Sequence, residues 1–232
     1  MSGILYGVGV GPGDPELLTL KALNKIKMSQ TIILPVAHKK ECHAYNIVAG
    51  IYPEIEGKEI ICLPFPMIKD KEILKKAHDE IFKAVKEELE SGKKVSFLTI
   101  GDPTIYSTYM YLHQRMVKEG YEAYIINGIP SFCAAAGVLN IPLGENKEEI
   151  HIIPGSYDVE EAILLKGTKI FMKSGKQLIK LKEALLELEK SHKYSIYGIS
   201  NCGMENEIVY KRLQDIGEDS GYLTIVIVKE NN

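Results

Sequence analysis

Apolar and polar positions alternate in blocks along the first half of the chain. Short runs of consecutive apolar residues at 3–10, 31–34, 59–63 and 94–100 are separated by stretches at 15–27, around 41–51 and at 71–91. The runs suit strands buried on both faces, and the 3.6-residue period of the stretches between them suits helices lying over a sheet. The longest helical stretch carries Ile73, Leu74, Ala77, Ile81, Val85 and Leu89 on one stripe. Strand and helix in turn predict a mostly parallel sheet covered by helices. Asp14-Pro15 reads as the cap and first residue of the 15–27 helix, and Gly92 as the residue that closes the 71–91 helix.

The second half has a different rhythm. Strands are expected at 121–126, 150–153, 168–172, 194–199 and 223–228, with clear room for a helix only at 177–190. Strands without an intervening helix pair as hairpins or through loops, so a mixed sheet is expected there. The fold class is therefore α/β with two α/β domains, 1–117 with a mostly parallel sheet and 118–232 with a mixed one. No low-complexity linker or internal repeat marks the join, which suggests close packing with a cleft between the domains.

Composition narrows the partners. A net charge of -3 over 232 residues gives no pull towards nucleic acid. Arg115 and Arg212 are the only arginines available for bidentate anion recognition. Cys42, Cys62, Cys133 and Cys202 are scattered, and the six histidines show no metal-ligand spacing, so no metal site is expected. With no basic leader and no apolar run long enough for a membrane span, a reduced cytoplasmic protein is expected.

Three loop motifs carry the chemistry. Gly7-Val8-Gly9-Val10-Gly11-Pro12-Gly13-Asp14-Pro15 follows the first strand, where glycine lets backbone approach a ligand closely. It fails the dinucleotide fingerprint, because the sixth positions counted from Gly7 and Gly9 are Pro12 and Asp14. It also lacks the Gly-Lys-Ser/Thr of a phosphate-binding loop. The second motif, Gly101-Asp102-Pro103-Thr104-Ile105-Tyr106-Ser107-Thr108, follows the fourth strand. There Asp102 either faces a ligand at a strand's carboxyl end or caps a helix starting at Pro103. The third, Asn127-Gly128-Ile129-Pro130-Ser131-Phe132-Cys133, enters a helix of small residues that admits close packing or a ligand.

Taken in order, these motifs resemble the tetrapyrrole methylases of the cobalamin pathway, and within them the precorrin-2 / cobalt-factor II C-20 methyltransferases. The resemblance spans essentially the whole chain. It implies S-adenosylmethionine as cofactor, with S-adenosylhomocysteine as product, bound between two α/β domains of a homodimer. Carried onto this sequence, it implies cofactor contacts from Ile100, Gly101, Asp102, Ile105, Tyr106, Ser131, Phe132, Met172 and Thr224, and substrate contacts from Gly11, Pro12 and Gly13. The family's third motif usually reads Pro-Gly with a hydroxyl residue two positions on; here Asn127 precedes Gly128, Pro130 takes the later position, and Ser131 is the nearest hydroxyl. For a polycarboxylate substrate, His38, Lys39, Lys40, Arg115, Lys173, Lys176 and Arg212 are candidate basic contacts. A proton acceptor is not assigned. Alternatives are another methylase of the family, acting at a different ring carbon or as a diphthine synthase, and a non-catalytic nucleotide- or corrinoid-binding module.

Overall fold

A computed structural model describes residues 3–65, 70–217 and 220–231 of the chain. The chain divides into two units, Met1–Pro130 and Ser131–Asn232. In the first, β1 (Ile4–Gly9), β2 (Thr31–Leu34), β3 (Glu59–Cys62), β4 (Lys94–Thr99) and β5 (Glu122–Ile126) form one sheet in the order β3-β2-β4-β1-β5. Every pairing in it is parallel. Alternate side chains of β1 feed two cores. Tyr6 and Val8 pack with α1 (Leu20–Met28) and α2 (His43–Ile51), whereas Leu5 packs with α3 (Lys71–Glu90) and α4 (Tyr109–Lys118).

The expected strand at 121–126 belongs to this first sheet rather than to the second half of the fold. Gly120, at φ +87°, turns the chain out of α4, and β5 then pairs with β1 from Ile4↔Glu122 to Val8↔Ile126. The expected boundary at 117/118 therefore falls inside the first unit, which runs on to Pro130.

The expected 15–27 helix is two elements. Asp14 Oδ1 accepts from Glu16 N–H at 2.8 Å and caps a single 3-10 turn, Pro15–Leu17. The chain then extends through Leu18, which is buried, and α1 starts afresh with Thr19 Oγ1 accepting from Ala22 N–H at 3.1 Å. Each cap satisfies its own set of orphan donors, so one periodic stretch yields two starts. In α3 the stripe is buried only in its later turns, at Ile81, Val85 and Leu89, whereas Ile73 is 53% exposed. Gly92, at φ +83°, closes this helix as expected.

Gly7 shows why β1 is glycine-rich within the strand as well as after it. A β-carbon there would run into the Tyr109 ring, which is fully buried and hydrogen-bonded through its hydroxyl to His113 Nδ1 at 3.0 Å. Gly7→Ala is expected to destabilise the first unit by about 2–3 kcal/mol through overpacking. A midpoint unchanged in urea denaturation would refute this.

The second unit begins with α5 (Ser131–Leu139). Its sheet contains β6 (Ile150–Pro154), β7 (Thr168–Met172), β8 (Tyr194–Ser200), β9 (Ile208–Tyr210) and β10 (Thr224–Glu230), in the order β6-β7-β10-β8-β9. Only β6 and β7 pair in parallel, across the short helix α6 (Val159–Ile163); the other pairings are antiparallel. The mixed sheet is thus as expected from the scarcity of helical spacers. With α6 and α7 (Leu178–Glu189), it encloses a core that includes Phe171, Leu181, Leu185, Val226 and Val228. The fully buried Lys169 donates to the carbonyls of Leu165 and Gly167 at 2.7 and 2.9 Å and lies 3.7 Å from the Glu230 carboxylate, so its donors are satisfied and its charge is paired. Among the described residues, no helix is long and apolar enough to cross a membrane.

Candidate functional site

In a parallel sheet all strands point the same way, so the loops that follow them gather along one edge. The register places Gly9 beside Thr99 and Val8 beside Ile126, so β1, β4 and β5 release their loops at one level. There the three glycine motifs meet backbone to backbone. Gly11 and Gly101 form a two-bond antiparallel bridge, with Gly101 N–H to Gly11 O at 2.8 Å and the reverse bond at 3.3 Å. Both have positive φ, +83° and +69°, a conformation that favours glycine. A β-carbon on Gly9 would stand 2.6 Å from Gly101 O, 2.7 Å from Gly128 N and 2.8 Å from Pro103 Cδ. Gly128 is packed harder still, its missing side chain facing the same Gly101 carbonyl.

Asp102 ties this junction together. It is 6% exposed, and both carboxylate oxygens are in use. Oδ1 accepts from Thr104 N–H at 2.8 Å and from the Thr104 hydroxyl. Oδ2 accepts from Asn127 Nδ2 and Gly128 N–H, each at 3.0 Å. Burial alone would raise its pKa, but the hydrogen bonds from Thr104, Asn127 and Gly128 outweigh that and hold the carboxyl below its ordinary range. No helix begins at Pro103: Asp102 O accepts from Ile105 N–H at 3.2 Å in a turn, and α4 starts only at Tyr109. Asp102 therefore caps a turn with one oxygen and fastens the third loop with the other. Tyr106, beyond the turn, is a non-glycine residue at φ +48°, a strained setting of the kind concentrated at ligand sites. Thr99 and Ser107 hydroxyls, 3.2 Å apart, close the loop onto the end of β4.

Of the expected site residues, the first unit thus gathers Gly11, Pro12, Gly13, Gly101 and Asp102, all buried, with half-buried Ile100 and Ile105 and exposed Tyr106. Asn127, Gly128 and Thr104 were not among the expected contacts, yet they make the bonds that shape the loop. The available signal was the polar Asn127 beside a glycine at the end of a strand.

The sequence profile of the tetrapyrrole (corrin/porphyrin) methylases matches residues 4–217. The chain belongs to this family. This tetrapyrrole methylase is 40% identical over 229 residues to a probable cobalt-precorrin-2 C(20)-methyltransferase of Methanocaldococcus jannaschii, covering 97% of the chain and 95% of the relative. It is 26% identical to a precorrin-2 C(20)-methyltransferase of a Sinorhizobium species, covering 98% and 97%. A solved uroporphyrin-III C-methyl transferase of Thermus thermophilus, complexed with S-adenyl homocysteine, shares the fold with a TM-score of 0.71 at 18% identity, covering 98% of this chain and 97% of that one.

The methylase's remaining expected contacts lie in the second unit. Ser131 and Phe132 open α5, half-buried and buried. Met172 ends β7 and pairs with Ile225, which puts it at the same end of that sheet as Thr224. The Thr224 hydroxyl is already bonded to Ser200 Oγ at 2.7 Å and to the Ser220 carbonyl. Among the candidate basic residues, Arg115 is held by Asp79 at 2.5 Å and lies over the Phe82 ring, and Arg212 is held by Asp215 at 2.7 Å. Lys39 lies 3.6 Å from Glu56, and burial pushes the Lys173 ammonium's pKa down. His38 and Lys40 are exposed, and the Lys176 side chain lies outside the described part.

Proposed function

We propose that this chain transfers a methyl group from S-adenosylmethionine to carbon 20 of precorrin-2 or its cobalt-containing counterpart in cobalamin biosynthesis. The observation that carries the reading is the 40% identity, over 97% of the chain, to a relative bearing that activity in its name. The S-adenyl homocysteine held by a protein of the same fold supports the choice of donor. Cobalt, where present, is part of the substrate.

The proposed reaction breaks a sulfonium–carbon bond and forms a carbon–carbon bond at an electron-rich meso position. It yields S-adenosylhomocysteine and releases the proton that the carbon carried. Such a displacement needs alignment and exclusion of water more than strong acid–base groups. Backbone groups of residues 100–106 are proposed to face the donor, and Gly11, Pro12 and Gly13 the tetrapyrrole. Ser131, Phe132, Met172 and Thr224 enter this proposal on the family resemblance alone. Asp102 is a poor proton acceptor, since a carboxylate with four donors and a lowered pKa holds a proton weakly. A homodimer is the proposed working form, again on the resemblance, and a cytoplasmic location is proposed from the scattered cysteines and the lack of a long apolar run.

The deciding experiment is an anaerobic assay with S-adenosylmethionine and either metal-free or cobalt-loaded substrate, reading the methylated carbon by NMR. A new methyl group on carbon 20 is expected with at least one substrate. Methylation elsewhere would place the chain in another branch of the family. Calorimetry that detects neither S-adenosylmethionine nor S-adenosylhomocysteine would overturn the methyl-donor reading altogether.

A further inference from the structure

Asn127, just past the end of β5, reaches with its side chain to the loop that follows β4 and donates there to Asp102 Oδ2 at 3.0 Å. We propose that Asn127 is a positioning residue for the methyl donor, acting through Asp102 on the loop of residues 101–106. The inference rests on the donor reading above and adds a residue that need not touch the donor.

Asp102 serves two loops at once. Its Oδ1 shapes the turn at 102–105 through Thr104, and its Oδ2 is shared by Asn127 Nδ2 and Gly128 N–H. Loss of the Asn127 amide leaves Oδ2 with only the Gly128 bond, so the carboxylate that organises the turn gains freedom. A loop ordered only on binding must meet that ordering cost from the binding free energy, whereas a latched one does not. Asn127 itself is exposed, and its backbone carbonyl keeps the 3.4 Å bond from Thr19 Oγ1 whatever its side chain. Truncating it therefore removes the latch without opening the core.

The test is a double-mutant cycle on S-adenosylhomocysteine affinity, using Asn127→Ala and Asp102→Asn singly and together, with amide hydrogen exchange of residues 101–106. Asn127→Ala is expected to fold cooperatively and melt only a few degrees below wild type, to bind roughly tenfold more weakly and to exchange faster at 101–106, as suits loss of a hydrogen bond to a charged group. In the assay, the KM for S-adenosylmethionine should rise while kcat at saturation is retained. On the Asp102→Asn background the further loss should shrink to less than about twofold. Wild-type affinity in Asn127→Ala, or an undiminished loss on the Asp102→Asn background, overturns the proposal. So does unchanged exchange at 101–106, which decides the matter should Asp102→Asn bind too weakly to measure. A wild-type chain that binds no S-adenosylhomocysteine overturns the donor reading instead, and the exchange data still report on the latch.

Discussion

Gly128→Ala is expected to lower stability by roughly 3 kcal/mol, at the upper end of what overpacking costs, and to abolish donor binding. The added methyl group would meet three backbone features: the Gly101 carbonyl oxygen, well inside contact distance, Gly9 C at 2.7 Å and Gly9 O at 2.9 Å. A side chain could rotate away, but these atoms sit at the ends of β1 and β4, and Gly101 is already bridged to Gly11. Relief would have to come from prising the third loop off the other two, which breaks the bonds from Gly128 and Asn127 to Asp102. For a chain of this length the cost corresponds to a fall in melting temperature of about 6–12 °C. Gly137→Ala provides the contrast. Gly137 lies in α5 with nothing within 4 Å of a β-carbon, so alanine there should be neutral or stabilising by up to about 1 kcal/mol. Equal melting shifts for the two variants would show that the junction is looser than its spacing indicates.

The contrast between these two glycines also separates what was legible in the chain from what was not. Runs such as Thr31–Leu34 announce themselves because a strand covered on both faces is apolar throughout, and all four of its residues are buried. The mixed second sheet follows from a count of spacers, since only the stretch at 177–190 offered clear room for a long helix. Edge strands are harder. β5 has alternating exposure, which marks an edge but does not say of which sheet, and its pairing with β1 joins residues more than a hundred positions apart. β9 is three residues long with Ile208 and Val209 exposed, too short and too wet for a pattern to detect. At the site, the glycine motifs marked where the loops lie. The role of Asp102 was not readable, because its partners at 127 and 128 come from a different strand. A local reading offered only a ligand contact or a helix cap, and the structure builds a crosslink between loops.

Asp102→Ala is expected to be the most damaging polar substitution, costing about 3 kcal/mol, because it strands buried donors rather than merely deleting a contact. Gly128 N–H is buried and would lose its acceptor, and the Thr104 turn would lose its cap. Asp102→Asn separates charge from shape: one amide oxygen can still serve Thr104, but its NH2 would face the fixed backbone N–H of Gly128, donor against donor. Acid should then erase the difference between wild type and Asp102→Asn. The carboxyl's native pKa lies below its unfolded value of about 3.9, so its contribution is fully present above that value and is lost as pH falls through it towards the native one. The gap in melting temperature should accordingly be constant from about pH 5 to 8 and close progressively below about pH 4. Glu88 and Glu148, also held below their ordinary range, titrate in both proteins and drop out of the comparison. A gap that persists undiminished at the lowest pH where both proteins remain folded would mean that geometry, and not the ionised carboxylate, holds the three loops together.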